Sequence, residues 1–404
     1  MLVIDSYRCM YRSQTGAPAP PSGADPYSLF PAFNKNDFPP HAASGFWGAA
    51  SPIEEAIPPT TTTSVSVGTF AELQTAYNLG ARHITLTASI EGSDGSELTL
   101  TGDATDIRIT VPSPYRLAYI NFGNIGGGPD YPSTITRLKF DGTGQLHYLR
   151  FNPRSGSSDL IFDGINMTGP AFASPEGNRY AVLIDTWYHV GTPINRVAFT
   201  SVKAACGAWF YGGHIQNLTV VNCSIITGLK AGNQEAWGFR HYPVQNAVFW
   251  GNDIRTATVR TQDVYHRIRC HVNYNFPTDG LVWIANNTFV DRVESRIFEV
   301  NSGMGDSGLD NGNHAAVWFT NNTVIATGSG GLSLRIGDSD NSLVTDNTFQ
   351  SDTFTSTSNF TFSSTTESSA GLNPVTTGNT FTSLPGSDPA WGGAGDPTGL
   401  TWDF

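Results

Sequence analysis

Histidine, arginine and aromatic side chains crowd into one part of this chain, where its acidic composition least explains them. Five of the nine histidines lie between 189 and 271, and His189, His214, His241 and His266 follow one another at intervals of 25, 27 and 25 residues. Arg240, Arg267, Arg269, Arg296 and Arg335 extend the basic character, with Trp187, Tyr188, Trp209, Tyr211, Trp237, Tyr242 and Tyr265 interleaved. Each type suits one task at a polymer. Histidine titrates near neutrality and can give or take a proton. Arginine grips carboxylates or sulfates with two parallel donors, and the flat faces of Trp and Tyr stack on the apolar faces of sugar rings. The pattern predicts a groove for an extended polymer, with Trp187, His189, Trp209, His214, Trp237, Tyr265 and Arg296 as its binding residues. A structural ladder of like residues, or a subunit interface, would produce the same pattern.

Two reactions fit such a groove. Hydrolysis of a glycosidic bond needs two carboxyl groups about 5 to 10 Å apart. Asp263 and Glu294 stand one repeat apart, and neighbouring strands spaced about 4.8 Å allow that separation. Elimination instead needs a base for a proton beside a carboxylate and a cation to neutralise that carboxylate. Arg240, His241, His266 and Arg267 supply both. For a metal, the runs from Gly305 to Asn313 and from Gly337 to Asn341 offer oxygen ligands for calcium, although Asp/Asn/Gly runs also make ordinary turns. Otherwise no cofactor is expected.

The elements that must position these residues show as a loose repeat. Asn287-Thr288-Phe289, Asn322-Thr323-Val324, Asn347-Thr348-Phe349 and Asn379-Thr380-Phe381 recur, with weaker relatives at Ile165, Ile225 and Ile254. Strand patterns such as Val282-Trp283-Ile284 and Val317-Trp318-Phe319 lead into them. A strand-turn-strand unit recurring every few tens of residues marks a solenoid, because each unit buries its apolar face only against its neighbours. Fixed strands joined by variable loops predict an all-β, parallel β-helix.

Composition agrees and excludes other classes. Only 14% of residues are charged and 43 are glycine, which favours many strands and turns over long helices. A net charge of -12 argues against nucleic-acid binding through a basic surface. No apolar run is long enough to span a membrane, and the first residues lack the pattern of a signal peptide. Cys9, Cys206, Cys223 and Cys270 have no metal spacing, and most read as buried apolar residues. Cys206 and Cys223 could meet in adjacent coils, but nothing in the sequence shows a disulfide.

Three parts follow. Residues 1–63 form an irregular arm dense in proline and aromatics, too aromatic for a simple linker. Residues 64–350 carry the solenoid, opened by a helix over 69–79 with Thr69 and Glu72 as a capping box and Gly80 as its stop. Residues 351–404 hold a last coil and a Ser/Thr/Gly-rich cap or inter-subunit segment, since a solenoid's open edge must be covered.

The segment from Phe70 to Gly80, with Leu73 and Ala76 on one face, followed by the strand of Ala81 to Ala88, resembles the start of pectate-lyase-like right-handed parallel β-helices, where a short helix plugs the solenoid. The whole layout resembles a bacteriophage tailspike or related virion protein. That resemblance implies a homotrimer located in the virion, or outside the cell by a route without a signal peptide. It implies attachment to other virion proteins through residues 1–63, and host polysaccharide bound or cleaved along the β-helix. A stand-alone polysaccharide lyase or hydrolase, and a non-enzymatic structural protein or adhesin, share the layout. No catalytic signature of one enzyme family accompanies it.

Overall fold

Thr69 begins the only α-helix among the described residues, Phe70–Asn78. Its hydroxyl accepts from the Glu72 N–H at 3.2 Å, while the Glu72 carboxylate accepts from the N–H groups of Gly68 and Thr69 at 2.7 and 3.0 Å. These bonds, with that from Gly68 the strongest, hold the Glu72 carboxyl below its ordinary range. Leu73, Ala76 and Tyr77 are buried beneath the helix. Tyr77 packs against Phe122 at 6.1 Å, and burial, then the charge of Asp103, pushes its phenol up. The helix sits where the sequence predicts it and covers the first coil's apolar end.

The computed structural model describes residues 64–123, 134–153, 156–169, 180–184, 194–206, 208–227, 239–256, 268–270, 281–291, 298–301, 316–326, 334–337, 343–353, 355–363 and 374–384. Within them every strand-to-strand ladder is parallel. The fold is a parallel β-helix. Each coil lays one strand on each of three faces, and residues on one face pair with their equivalents in the next coil. The first face runs through Ala104–Thr110, Ile135–Asp141, Ser158–Asp163, Ile194–Thr200, Leu281–Ala285, Ala316–Thr320 and Leu343–Thr345. The second carries Asn166–Thr168, Lys203–Ala205, Ser224–Thr227, Asp253–Thr256, Thr288–Asp291, Thr323–Ala326, Thr348–Gln350 and Thr380–Thr382. The third includes Tyr180–Ile184, Ile268–Cys270, Phe298–Asn301, Leu334–Gly337 and Phe360–Ser363. Ala208–Val221 and Phe239–Trp250 are long strands that cover the third face and continue onto the first.

One tight turn joins the first face to the second in each coil. Its first residue adopts a positive φ: Ser201, Asn222, Gly251, Asn286, Asn321, Asp346 and Gly378 stack there, with φ between 52 and 72°. Asn, Asp and Gly dominate that column because they enter this region most readily. At Gly251 a Cβ would also come within 2.7 Å of Asn222 Oδ1. The next residue in the turn is the repeated asparagine. Asn252, Asn287, Asn322, Asn347 and Asn379 form one ladder, in which each amide oxygen accepts from the backbone and side-chain N–H of the asparagine one coil earlier, at 2.8 to 3.1 Å. Each Nδ2 also reaches a first-face carbonyl of the preceding coil, as Asn322 does to Ile284 at 2.9 Å. Cys223 occupies the position before Asn252, and its N–H donates to Asn252 Oδ1 at 2.9 Å.

Phenylalanines fill the interior in register. Phe140 stacks on Phe162 at 5.3 Å, Phe162 on Phe199 at 4.8 Å, and Phe122 on Phe151 at 4.6 Å, all fully buried. Stacked rings on successive coils are what a parallel register imposes on a repeated residue. Cys206 and Cys223 are free, buried thiols. Burial pushes Cys223 up to about 12 and raises Cys206 as well. No described helix is long and apolar enough to cross a membrane.

Candidate functional site

Strand alternation sorts the third face into columns. Leu149 and Phe151, Val182 and Ile184 are all buried, so the position between them belongs to the opposite side of the sheet. That intervening column runs Asn121, Arg150, Leu183, Tyr211, Arg240, Arg269, one residue per coil. Arg150 is partly exposed. Farther along, a separate three-stranded ladder pairs Glu299 with Arg335 and Thr361. Neighbouring residues in such a column stand about 4.8 Å apart. Arginines at Arg240 and Arg269 therefore occupy adjacent rungs.

Among the described residues, His214 and His241 do not share a column. Gly212, not His214, is opposite His241, and Cys270 is opposite His241 on the other side. The register advances 29 residues from Phe210 to Phe239, and 29 again to Ile268, whereas His214 and His241 are 27 apart. The near-regular histidine spacing misses the strand register by two residues. His241 shares its column with Phe122, Phe151 and Ile184, which are core residues, while Arg240 shares the column of Arg150.

Trp209 also departs from expectation. It is 1% exposed and belongs to the core, edge-on to Phe199 at 4.7 Å. Only two residues separate the strand Lys203–Ala205 from Ala208, so the chain passes onto the third face at once and carries this indole inside. It offers no surface on which a sugar could stack.

Trp187, His189, Trp237, Asp263, Tyr265, His266, Arg267, Glu294 and Arg296 lie outside the described residues, as do residues 305–313 and 338–341 proposed for calcium. Their sequence positions are still informative. Trp237 precedes the strand Phe239–Trp250, Asp263 to Arg267 precede Ile268–Cys270, and Glu294 and Arg296 precede Phe298–Asn301. All of these connections lead onto the third face, and Trp187 and His189 follow the third-face strand Tyr180–Ile184.

Many charged side chains of the first face are committed to one another. On the first face Asp106 bridges Arg82 at 2.8 Å and Arg137, and Asp159 pairs with Arg196 at 2.5 Å. Lys139 bonds Asp163 at 2.9 Å, and Asp141 takes Arg108 and Thr110 at 2.7 Å. Such ladders neutralise charge from coil to coil. Among the described residues no cluster of three or more His, Cys, Asp or Glu side chains is arranged to hold a metal ion.

Tyr211 and Arg269, which the sequence offers only as neighbours of the histidines, share a column with Arg240. The signal that exposes them is the 29-residue step of the apolar pair Phe210 and Phe239, which aligns Tyr211, Arg240 and Arg269. Compared with known proteins, the chain matches no family model, no curated protein and no solved structure.

Proposed function

We propose that this protein binds an extended acidic polysaccharide along the third face of its β-helix, as a virion attachment protein of the tailspike type. One observation carries the reading. Tyr211, Arg240 and Arg269 stand on consecutive coils in one column, in a protein of net charge -12. Arginines at a rise of about 4.8 Å can meet successive anionic groups of an extended chain, while a tyrosine beside them offers a ring face to a sugar. Trp237, Tyr265 and Arg296, and the proton-transfer candidates Asp263, His266, Arg267 and Glu294, stand in sequence just before strands of that face.

The test is a panel of acidic and neutral polysaccharides incubated with the full chain. Retention on an acidic polymer supports the reading. Release of reducing ends adds hydrolysis, and new absorbance from double bonds adds elimination. If every polymer stays intact and unbound, the reading fails and a purely structural role takes its place.

A further inference from the structure

One outward column of the first face is buried. It runs Lys139, Ile161, Ala198, Thr219, Val248, Trp283, Trp318, Leu343, one residue per coil. Every member is at most 5% exposed, although its inward neighbours, such as Val317 and Phe319, fill the core on the other side of the sheet. Trp283, Ala285, Trp318 and Leu343 form an apolar cluster separate from that core. Trp250 meets Trp283 edge-on at 5.3 Å, and Trp283 meets Trp318 at 5.8 Å. A bare sheet leaves outward tryptophans largely in water. Among the described residues the partly buried apolar side chains packed on this cluster are Trp250 and Val375, members of the same stack. Burial of this depth is reached within a single chain, so the cover is this chain's own and not a second copy.

We propose that the segment 385–404 lies along the outer side of the first face and docks its Trp391, Leu400, Trp402 and Phe404 on the Trp250–Trp283–Trp318–Leu343 stack. Three facts select this occupant over the arm at 1–63. The tryptophans of the column belong to the later coils, toward the strand Thr380–Thr382 from which the segment departs. The arm joins at Ser64, at the opposite end, where the corresponding outward residues His83 and Arg108 are partly exposed and the cover is incomplete. Reach is ample. Twenty residues extend about 65 Å, while four coil steps from the last coil back to Trp250 span about 19 Å. Gly392, Gly393, Gly395 and Ala394 let the backbone approach a flat sheet closely.

The inference rests on burial and register, independently of the polysaccharide reading. To test it, p-benzoylphenylalanine replaces Trp250 at the rim of the stack in the full chain, and the irradiated protein is mapped by mass spectrometry. A cross-link to peptides of 385–404 is expected. Cross-links to 1–63, to the connections 271–280 or 302–315, or to a second copy overturn the proposal, as does a folded protein without cross-links. Should that variant not fold, Trp402→Ala/Phe404→Ala in the full chain decides. Acrylamide quenching of the remaining tryptophans then rises above wild type, with Trp47→Ala as the control that leaves it unchanged. Equal quenching in both variants overturns the proposal.

Discussion

Asn322 shows how much one side chain can hold in a solenoid. Its oxygen accepts from the backbone and side chain of Asn287, both at 3.0 Å, and its Nδ2 donates to Ile284 O and Asn347 Oδ1. Asn322→Ala strands a buried N–H and a buried carbonyl together, which costs on the order of 3 kcal/mol. Urea unfolding measures it, with Thr323→Ala as a neighbour expected to cost far less. An equal loss from both would contradict the ladder's role. Cys223 stands at the end of the same column, and its Sγ reaches Phe199 O at 3.5 Å, the carbonyl that an asparagine amide would bond more strongly. Cys223→Asn therefore extends the ladder and raises stability by about 1 kcal/mol. The wild-type thiols at Cys206 and Cys223, held protonated by burial, stay unlabelled by thiol reagents at neutral pH until the chain unfolds. Asn287, Asn322, Asn347 and Asn379 were legible because identical residues repeat with the turn. Asn252 was concealed by the Asp-Ile that follows it, and only its bonds to Asn287 reveal it.

At the scale of elements, the helix and the strands were legible and their offsets were not. Thr69, Glu72 and Gly80 announce the helix by local chemistry, which needs no knowledge of distant residues. Thr69→Ala removes the cap and costs about 1 kcal/mol, read as a drop in the urea midpoint. The Glu72 carboxyl lies below its ordinary range when folded. Its contribution is present above the unfolded pKa and is lost as pH falls through the folded one. The stability difference between wild type and Glu72→Gln should therefore shrink on acidification, and a difference that grows would contradict the cap. The histidine spacing failed for the opposite reason. Loops of unequal length separate the strands, so an interval in sequence is not an interval in space. Phe210 and Phe239 keep the register and His214 and His241 do not. Trp209 was misread because sequence alternation does not show where a two-residue corner turns a side chain inward.

For the whole molecule, the parallel register converts a weak repeat into long continuous columns: asparagine at the turn, phenylalanine in the core, tryptophan on the first face, arginine on the third. The tailspike reading predicts association into a trimer, with a mass by light scattering about three times the 43.4 kDa chain; a mass of one chain at high concentration would contradict it. The polysaccharide reading puts the polymer on the third face. The most direct measurement compares binding of acidic polysaccharides to wild type and to Arg240→Ala/Arg269→Ala, with melting temperature as the folding control. The account predicts that wild type retains at least one acidic polymer, that salt weakens the retention, and that the double variant loses it while melting unchanged. Equal binding by the two proteins, or no binding by either, would contradict it.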